Sequence, residues 1–265
     1  MDKHIFINSL EESSKKILLE ASEIAKKLQG KASIRYKSEN QPVTDADIKI
    51  NNYLMDFFSK LTPDFGWLSE ESQDNKSRLN SDYFWCLDPI DGTRSYIKGK
   101  PEYTISLALL KNSKPILGMI INPETKEFFS AKKNNGAFCN DKKISVNTKK
   151  SLNLCSYAIS SSELDRISKY DFLKNLKVTK MGSIAYKVAL VAKGEIDVAI
   201  SFTKKNDWDL AAADLILTES GGKIGELSGK EIIYNSAELK INSVLATNKF
   251  VGSELSKKLM RLDCD

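Results

Sequence analysis

Residues 83–99 read YFWCLDPIDGTRSYIKG and join an apolar run to a turn that carries three polar side chains. Residues 83–87 are aromatic and apolar, which is typical of a buried strand. The proline and glycine that follow predict that the chain leaves the strand at this point. We therefore expect Asp88, Asp91 and Thr93 to lie at the end of a strand.

This turn has the residue types that a metal site needs. Because Pro89 restricts Asp88 to extended dihedrals and Gly92 tolerates unusual backbone angles, two carboxylates can converge with the carbonyl of Ile90 between them. Hard oxygen ligands suit Mg2+, which is commonly held by a few carboxylates and keeps waters and phosphate oxygens in its shell. The alternative is an ordinary turn, since Asp, Pro, Gly and Thr are all common in turns. The stretch alone does not decide between them.

The length and composition indicate a globular protein. A chain of 265 residues is long enough to form one large domain or two packed halves. The 40 Lys and Arg residues exceed the 35 Asp and Glu residues, but they are scattered, so nucleic-acid binding is not indicated. The net charge of +5 is only a weak argument for anionic substrates.

Cysteine and histidine usage narrows the possible chemistry. No CxxC pair occurs among the cysteines and no apolar signal segment opens the chain, so we expect a reduced, cytoplasmic setting. The longest apolar runs, 105–110 and 116–121, are far too short to cross a bilayer. Because His4 is the only histidine and the cysteines form no cluster, the usual zinc ligand sets cannot be assembled, and histidine acid–base catalysis is equally hard to build. A hydrolytic mechanism would need carboxylates, hydroxyls, lysines or an oxygen-ligated metal.

Two helices are predicted before the central turn. Apolar spacing predicts a helix over residues 8–29, and a polar loop, KSENQP at 37–42, leads to a second helix with Thr44 as its N-cap. Asp47 lies three residues after Thr44. There it could complete a variant capping box, favour the positive end of the helix or serve a site, and the local sequence does not decide.

A second pair of acids follows a short predicted strand at Trp67 and Leu68. Glu70 and Glu71 stand at the end of this strand. Because adjacent strand residues point to opposite faces, we expect one glutamate to face a site and the other to face solvent or a partner. We assign Glu70 to the site.

The rest of the chain is predicted to contain an antiparallel meander followed by mixed elements. The meander strands are 103–110, 115–121 and 127–131, joined by hairpin turns, which is not Rossmann winding. The later elements are a strand at 155–159, helices at 163–175 and 183–193, a strand at 196–201, a helix at 208–219, a strand at 243–247 and a terminal helix. Asp207 is predicted to cap the helix at 208–219. Asp209 lies in its first turn, where the helix dipole favours a carboxylate in any case.

Five segments together resemble the inositol monophosphatase family, which includes the bisphosphate nucleotidases. They are VTDAD (43–47), LSEES (68–72), LDPIDGTRSY (87–96), MGSIAYKVALVAKGEIDVAI (181–200) and DWDLAAAD (207–214). The family belongs to the magnesium-dependent, lithium-sensitive phosphatases, and the chain looks closer to its bacterial 3'(2'),5'-bisphosphate nucleotidase branch. The resemblance implies an α/β layered sandwich, αβαβα, like that of fructose-1,6-bisphosphatase, and a magnesium-dependent phosphomonoesterase.

The resemblance also implies one phosphatase unit over residues 1–265. Residues 1–150 would form an α+β half with most of the metal ligands, and residues 151–265 would form an α/β half that contributes Asp209 and substrate contacts.

The resemblance implies a site with two Mg2+ ions, and a third, weaker ion is left open. Glu70, Asp88 and the carbonyl of Ile90 would hold the first ion. Asp88, Asp91 and Asp209 would hold the second. Such a pair clamps a phosphate, lowers the pKa of bound water and stabilises the leaving oxygen. No covalent phosphoenzyme is expected.

Further roles follow from the same resemblance. Thr93 and Glu70 would orient and activate the water, while Asp47 would hydrogen-bond Thr93 or assist the third ion. Lys37 would lie on a loop that can cover the site. The amides of Gly92 and Thr93 would grip phosphate oxygens at a helix start. The implied substrate contacts are Asp91, Gly92, Thr93, Gly182, Ser183, Lys204 and Asp209.

Two other classes of protein are less consistent with the sequence. Haloacid-dehalogenase-like phosphatases use Asp-x-Asp-Gly-Thr, in which the first Asp attacks phosphorus, but Pro89 occupies that position here. A non-catalytic phosphate-binding protein on the same fold would be expected to lose at least one acid of the site. The set is complete in this chain, which favours an enzyme.

The sequence constrains the substrate less. Where inositol monophosphatases place an acid, residues 199–206 contain none. Phe202 could stack on a base and Lys204 or Lys205 could hold a second phosphate, which favours adenosine 3',5'-bisphosphate over inositol phosphate. Core packing of Phe202 and solvated lysines are the alternatives. Histidinol phosphate is a third candidate, because some related enzymes carry a similar DGTR turn, and Arg94 could meet a substrate anion. The expected partner is a small phosphate ester, and a homodimer is left open.

Overall fold

The structure is a computed structural model that describes residues 3–38, 41–167 and 177–262. Within these ranges the helices are α1 (Lys3–Leu28), α2 (Asp45–Leu61), α3 (Thr93–Ile97), α4 (Leu164–Ile167), α5 (Ile184–Lys193), α6 (Asp207–Glu219) and α7 (Gly252–Leu262). The strands are β1 (Ile34–Ser38), β2 (Gln41–Thr44), β3 (Gly66–Ser69), β4 (Tyr83–Asp91), β5 (Thr104–Lys111), β6 (Lys114–Asn122), β7 (Glu127–Lys132), β8 (Ala137–Cys139), β9 (Lys142–Ile144), β10 (Ser156–Ile159), β11 (Lys177–Lys180), β12 (Val198–Ser201), β13 (Lys205–Asn206), β14 (Gly222–Gly225), β15 (Lys240–Ile241) and β16 (Val244–Asn248).

The first sheet contains seven strands in the order β3-β4-β5-β6-β7-β8-β9. β3 and β4 are parallel, and every later pair of neighbours is antiparallel. The predicted antiparallel meander is therefore confirmed. Because β3 and β4 run in the same direction, their carboxyl ends meet at one edge of the sheet, and these ends carry Glu70 and the central turn.

The second sheet contains five strands in the order β11-β10-β12-β16-β14. β10 is parallel to β11 and to β12, whereas β16 is antiparallel to β12 and to β14. Two further pairs, β1-β2 and β13-β15, form two-stranded ribbons. Both ribbons lie next to segments that carry acids of the central site.

Helices cover the two sheets and separate them. α1 and α2 pack on one face of the first sheet, where Leu18 and Trp85 share a core. α5 and α6 lie between the sheets, and a Cβ on Gly118 of β6 would lie 2.8 Å from the carbonyl oxygen of Ala212 in α6. α7 covers the second sheet through Leu255. The order of layers confirms the αβαβα sandwich.

Two predicted boundaries are wrong. β4 does not end at Leu87 but continues to Asp91, because β5 keeps pairing with it. The described part of the loop predicted at 37–42 belongs to the β1-β2 hairpin. Ile34, Arg35, Tyr36 and Lys37 alternate between apolar and polar, which is the pattern of a strand, although all five β1 side chains are exposed.

Other predicted elements agree closely with the structure. The helices expected at 8–29 and 183–193 are α1 and α5. The helix expected at 163–175 is described only from Leu164 to Ile167, because residues 168–176 lie outside the described ranges. Cys264 also lies outside them, and the other cysteines are free thiols.

The two sheets come from successive parts of the chain. All strands of the first sheet precede residue 150, and all strands of the second follow it. The division of one phosphatase unit into halves at residue 150 stays a prediction. Among the helices described, none is long and apolar enough to cross a membrane.

Candidate metal centre

Three aspartates from two elements converge near the end of β4. Asp88 and Asp91 belong to β4, and Asp209 belongs to α6. An oxygen from each carboxylate lies within 4.8 Å of the other two, and Asp88 exposes only 1% of its surface. The structure thus brings together three of the residues that the sequence nominated as metal ligands.

A bulge in β4 places Asp88 and Asp91 on one side of the strand. In a regular strand, residues three apart point to opposite faces. Here Asp88 pairs with Ser106, and Asp91 pairs with Thr104. Between these two pairs β4 advances by three residues, whereas β5 advances by two. The extra residue restores a common direction for the two carboxylates. Pro89, which lacks a backbone N–H, lies in this irregular segment.

The first turn of α6 holds Asp209. Asn206 is the N-cap, and Asp209 Oδ2 accepts a hydrogen bond from the Asn206 N–H at 2.6 Å. The prediction that Asp207 caps this helix is wrong, because Asp207 is the first helical residue and its Oδ2 accepts from the Asn235 N–H. Asp209 has a capping role and also reaches the cluster, since a carboxylate has two oxygens.

The carboxylates of the cluster keep oxygens available for a cation. Asp88 Oδ1 accepts from the Ile90 N–H at 3.0 Å, and Asp91 Oδ2 accepts from Ser183 Oγ at 2.5 Å and the Ala185 N–H at 2.6 Å. In the part of the chain described, Asp88 Oδ2 is buried without a hydrogen-bond partner. A buried oxygen without a partner is costly, and a hard divalent cation can satisfy several such oxygens at once. The residues present therefore fit Mg2+.

Burial and mutual repulsion raise the pKa values of the cluster. The pKa of Asp88 lies well above its usual range because of burial first and then the carboxylates of Glu70, Asp91 and Asp209. Burial, followed by the charges of Asp91 and Glu70, raises the pKa of Asp209 to about 7. A bound cation would reverse this repulsion, because it becomes the largest local charge.

Glu70 lies beside the cluster but outside the set of three converging carboxylates. Its Oε1 lies 3.1 Å from Lys37 Nζ, and Glu71 Oε1 lies 2.5 Å from the same nitrogen. The expectation that the two glutamates face opposite directions is wrong, because β3 ends at Ser69 and both glutamates follow in a turn. Lys37 itself comes from β1, so the hairpin reaches the edge of the cluster.

Asp47 and Thr93 lie next to the Ile90 carbonyl. Thr93 Oγ1 is 3.1 Å from that carbonyl oxygen and 3.4 Å from Asp47 Oδ1. Asp47 Oδ2 accepts from the N–H and the hydroxyl of Thr44 at 2.8 and 2.6 Å, which confirms Thr44 as the N-cap of α2. Burial is the main cause that raises the pKa of Asp47 to about 6, and the bonds from Thr44 oppose it.

Gly92, Gly182 and Ser183 pack closely beside Asp91. Gly92 precedes α3 with a φ of 94°, and a Cβ there would lie 2.8 Å from the Glu102 carbonyl oxygen and 3.1 Å from the Ser183 nitrogen. A Cβ on Gly182 would meet the same carbonyl at 3.0 Å. Only glycine allows these two segments to approach so closely.

The two lysines that the sequence analysis considered for a second phosphate differ in their exposure. Lys204 is exposed and Lys205 is half-buried. Burial raises the pKa of Asp91 and of Asp209, and the charge of Lys205 opposes both rises. Phe202 is half-buried and packs partly against the core of the second sheet. Core packing therefore accounts for part of this aromatic side chain.

A buried lysine that the sequence analysis missed also lies near the cluster. Lys187 on α5 is fully buried, and its Nζ donates to Ser160 Oγ at 2.7 Å. Burial lowers the pKa of Lys187 to about 8, while the carboxylates of Asp91 and Glu163 oppose that shift. The available signal was a single lysine inside the apolar helix IAYKVALVA.

Comparison with known proteins identifies phosphatases. The chain is 28% identical over 229 residues to the inositol-1-monophosphatase of Rhizobium meliloti, covering 83% of each chain. It is 32% identical over 215 residues to the 3'(2'),5'-bisphosphate nucleotidase CysQ of Escherichia coli O6:H1, covering 78% of this chain and 85% of that one. The structure of an IMPase from Thermotoga maritima is similar with a TM-score of 0.84 at 27% identity, over 99% of this chain and 98% of that one. Fold and relatives define a phosphatase of small phosphate esters.

The family is identified by a match along nearly the whole chain. The pattern of the inositol monophosphatase family covers residues 7–261. The chain therefore belongs to the inositol monophosphatase family, whose members depend on a metal, generally Mg2+. Relatives at similar identity are named for different substrates, so membership does not select one.

Proposed function

We propose that the chain is a Mg2+-dependent phosphomonoesterase that removes the 3'-phosphate of adenosine 3',5'-bisphosphate. The observation that carries this proposal is the convergence of Asp88, Asp91 and Asp209 beside two lysines, Lys187 and Lys205. The acids suit a metal ion, and the half-buried Lys205 suits a substrate with more negative charge than one phosphate carries. Lys187 is fully buried and adds positive charge without touching the substrate.

We assign two Mg2+ ions that share Asp88. The proposed ligands are Glu70, Asp88, the Ile90 carbonyl, Asp91 and Asp209. When bound, Mg2+ supplies charge neutralisation on the phosphate and a lower pKa for a water ligand. Because a carboxylate has two oxygens, Glu70 can ligate a metal ion through Oε2 while Lys37 pairs with its Oε1.

We assign the orientation of the attacking water to Thr93 and Glu70. The Thr93 hydroxyl has one proton, and either Asp47 Oδ1 or the Ile90 carbonyl oxygen can accept it. Its lone pairs are then free to accept a hydrogen bond from water, which aligns a water lone pair with phosphorus. Glu70 is the carboxylate that would take the released proton.

We assign the grip on the phosphate to the turn around Gly92. The backbone amides of Gly92 and Thr93 would donate to phosphate oxygens. Gly182 and Ser183 would form the opposite wall, because they pack directly against Gly92 and Ser183 already donates to Asp91. This arrangement holds the ester in place while the acids position the metal.

A paired substitution of neighbouring lysines tests the second phosphate. Lys205→Ala should raise KM for adenosine 3',5'-bisphosphate roughly tenfold, because a charge-assisted hydrogen bond contributes about 1.5–3 kcal/mol. Lys204→Ala is the matched control and should change KM less than twofold, since Lys204 is exposed. Steady-state kinetics with adenosine 3'-monophosphate should show a smaller effect of Lys205→Ala. Equal losses in the two variants would contradict the assignment of Lys205.

Inositol monophosphate is the second candidate substrate. The observation that favours it is Glu163, a buried acid that lies close enough to Lys187 to oppose its loss of charge. This carboxylate cancels part of the positive charge that a second phosphate would need. Glu163 also accepts from the N–H groups of Phe202 and Thr203 at 2.7 and 3.0 Å, so it shapes the same loop.

Phosphate release from three substrates separates these candidates. Adenosine 3',5'-bisphosphate, inositol 1-phosphate and histidinol phosphate should be compared with Mg2+ and with a chelator. We expect the nucleotide to have the highest kcat/KM and the chelator to abolish release from all three. A preference for inositol phosphate would overturn the assignment of Lys205, and no Mg2+-dependent release would favour a phosphate-binding protein.

A homodimer stays a prediction, which light scattering tests.

A further inference from the structure

A buried polar network links the first turn of α6 to the edge of the first sheet. Asp207 has no exposed surface, and its Oδ2 accepts from the Asn235 N–H at 2.6 Å. Asn235 Oδ1 accepts from Arg78 Nη1, and Asn235 Nδ2 donates to the Arg78 carbonyl at 3.4 Å. Arg78 is also buried, with only 2% of its surface exposed. We call Arg78, Asn235 and Asp207 the α6 clamp.

Arg78 is itself held by the segment between β3 and β4 and by the chain next to Asn235. Its Nε and Nη2 donate to Asp74 Oδ2 at 3.1 and 2.9 Å, and its Nη1 also reaches the Ser236 carbonyl oxygen at 3.4 Å. A Cβ on Gly66 would lie 2.6 Å from the Cα of Arg78, so Arg78 packs tightly against the start of β3. The clamp therefore joins β3, which leads to Glu70, with the helix that carries Asp209.

The position of Asp207 makes this link relevant to the cluster. Asp207 and Asp209 lie in the same helical turn, and both carboxylates accept from backbone N–H groups, one from Asn235 and the other from Asn206. Asp209 is repelled by Asp91 and Glu70. A helix start that is free to shift would relieve that repulsion by moving Asp209 away. A fixed helix start keeps Asp209 where a cation can bind.

If this network served only to stabilise the fold, a buried carboxylate would be an unfavourable residue for it. In the described residues, Asp207 Oδ1 is buried without a hydrogen-bond partner, although Arg78 stabilises the charge at longer range. Burying such an oxygen costs stability. Groups that orient metal ligands typically raise metal affinity 10–100-fold. Metal binding would therefore gain from this network even though the buried oxygen lowers the stability of the fold.

We propose that the α6 clamp is a positioning device that holds Asp209 in the metal centre, with Asp207 as the residue that attaches it to α6. Because Asp209 is a metal ligand only under the proposed function, this inference rests on that function. Asp207 does not touch the substrate or the metal. It acts through the backbone of α6.

Mg2+ binding without substrate, measured by calorimetry on the metal-free protein, tests the clamp. Asp207→Ala should weaken Mg2+ binding by roughly tenfold or more. Asp207→Asn keeps an oxygen for the Asn235 N–H and should restore binding to within about threefold of the wild type. Arg78→Ala should weaken Mg2+ binding as much as Asp207→Ala does. The double variant should bind Mg2+ no more weakly than either single variant, because both substitutions break the same network.

A control on the same helix separates positioning from general destabilisation. Glu219, in the last turn of α6, accepts from the N–H groups of Asn134 and Gly136 at 2.7 and 2.9 Å. Glu219→Ala should lower Tm and leave Mg2+ affinity unchanged. If Asp207→Ala does not fold, Arg78→Lys, which keeps the charge and loses the planar donor set, replaces it in the comparison.

Asp209→Ala distinguishes failure of the clamp from failure of the proposed function. Weaker Mg2+ binding in both Asp209→Ala and Asp207→Ala supports the clamp. Weaker binding in Asp209→Ala alone would overturn the clamp and leave the metal centre intact. Unchanged binding in Asp209→Ala would overturn the metal centre itself. Equal loss of Mg2+ affinity in Glu219→Ala would show that any damage to α6 has this effect and would also overturn the clamp.

Discussion

Asp88→Asn is expected to abolish nearly all turnover while the fold is retained. Asp88 is the carboxylate proposed to bridge both ions, and its Oδ2 is buried without a hydrogen-bond partner in the described part of the protein. Metal ions contribute several kcal/mol of transition-state stabilisation, and each 1.36 kcal/mol corresponds to a factor of ten in rate. We therefore expect kcat/KM to fall by roughly a thousandfold or more.

The stability of the same variant provides an independent readout. One oxygen of this buried carboxylate lacks a partner and neighbouring acids repel it, which destabilises the metal-free protein, so Asn at this position should leave its Tm unchanged or higher. Mg2+ should raise the Tm of the wild type and have little effect on the variant. Asp214→Asn is the matched control, since Asp214 is an acid of α6 that bonds to Tyr234 and Thr218 outside the cluster. Normal activity of Asp88→Asn would rule out the two-ion assignment.

Gly92→Ala is expected to have the second largest effect. Its φ of 94° is strained for alanine, and the new Cβ would lie 2.8 Å from the Glu102 carbonyl oxygen. Strain of this kind costs about 1–3 kcal/mol, and the contact forces the turn to move. We expect the free energy of unfolding to fall by about 2 kcal/mol or more. Because Asp91 and Thr93 flank this residue, kcat/KM should fall roughly a hundredfold.

Gly99→Ala separates backbone strain from close approach. Gly99 follows α3 with a φ of 64°, and a Cβ there would have no atom within 4 Å. This variant should lose about 1 kcal/mol of stability and keep its activity. Urea unfolding and steady-state kinetics of both variants provide the comparison. Similar kinetics for Gly92→Ala and Gly99→Ala would mean that the close packing beside Gly92 does not position the site.

Local motifs were sufficient to predict the cluster, because its acids fall in short segments with a distinctive order. Asp88, Asp91 and Asp209 were all nominated from the sequence, and the structure brings them together. The bulge that aligns Asp88 with Asp91 was not predicted. A bulge depends on the pairing register with β5, and no pattern within one strand contains that register.

Side-chain direction was the main limit of the sequence prediction. Lys204 and Lys205 are adjacent, so either could face the acids until the start of β13 at Lys205 is known. Glu70 and Glu71 were expected to diverge, but the strand before them ends one residue too early for its alternation to apply. Lys187 was missed because a lysine within an apolar helix has no partner that sequence spacing can identify.

The separation of Asp209 from Asp88 and Asp91 along the chain has a consequence for folding kinetics. Contacts between residues that are far apart in sequence form late, because the intervening chain must first be closed into a loop. The cation site would therefore be incomplete until the two sheets have docked around α6. Mg2+ would then slow unfolding far more than it accelerates refolding, since it binds a feature that forms after the rate-limiting step. In hydrogen exchange, the first turn of α6 should gain the most protection when the ion binds.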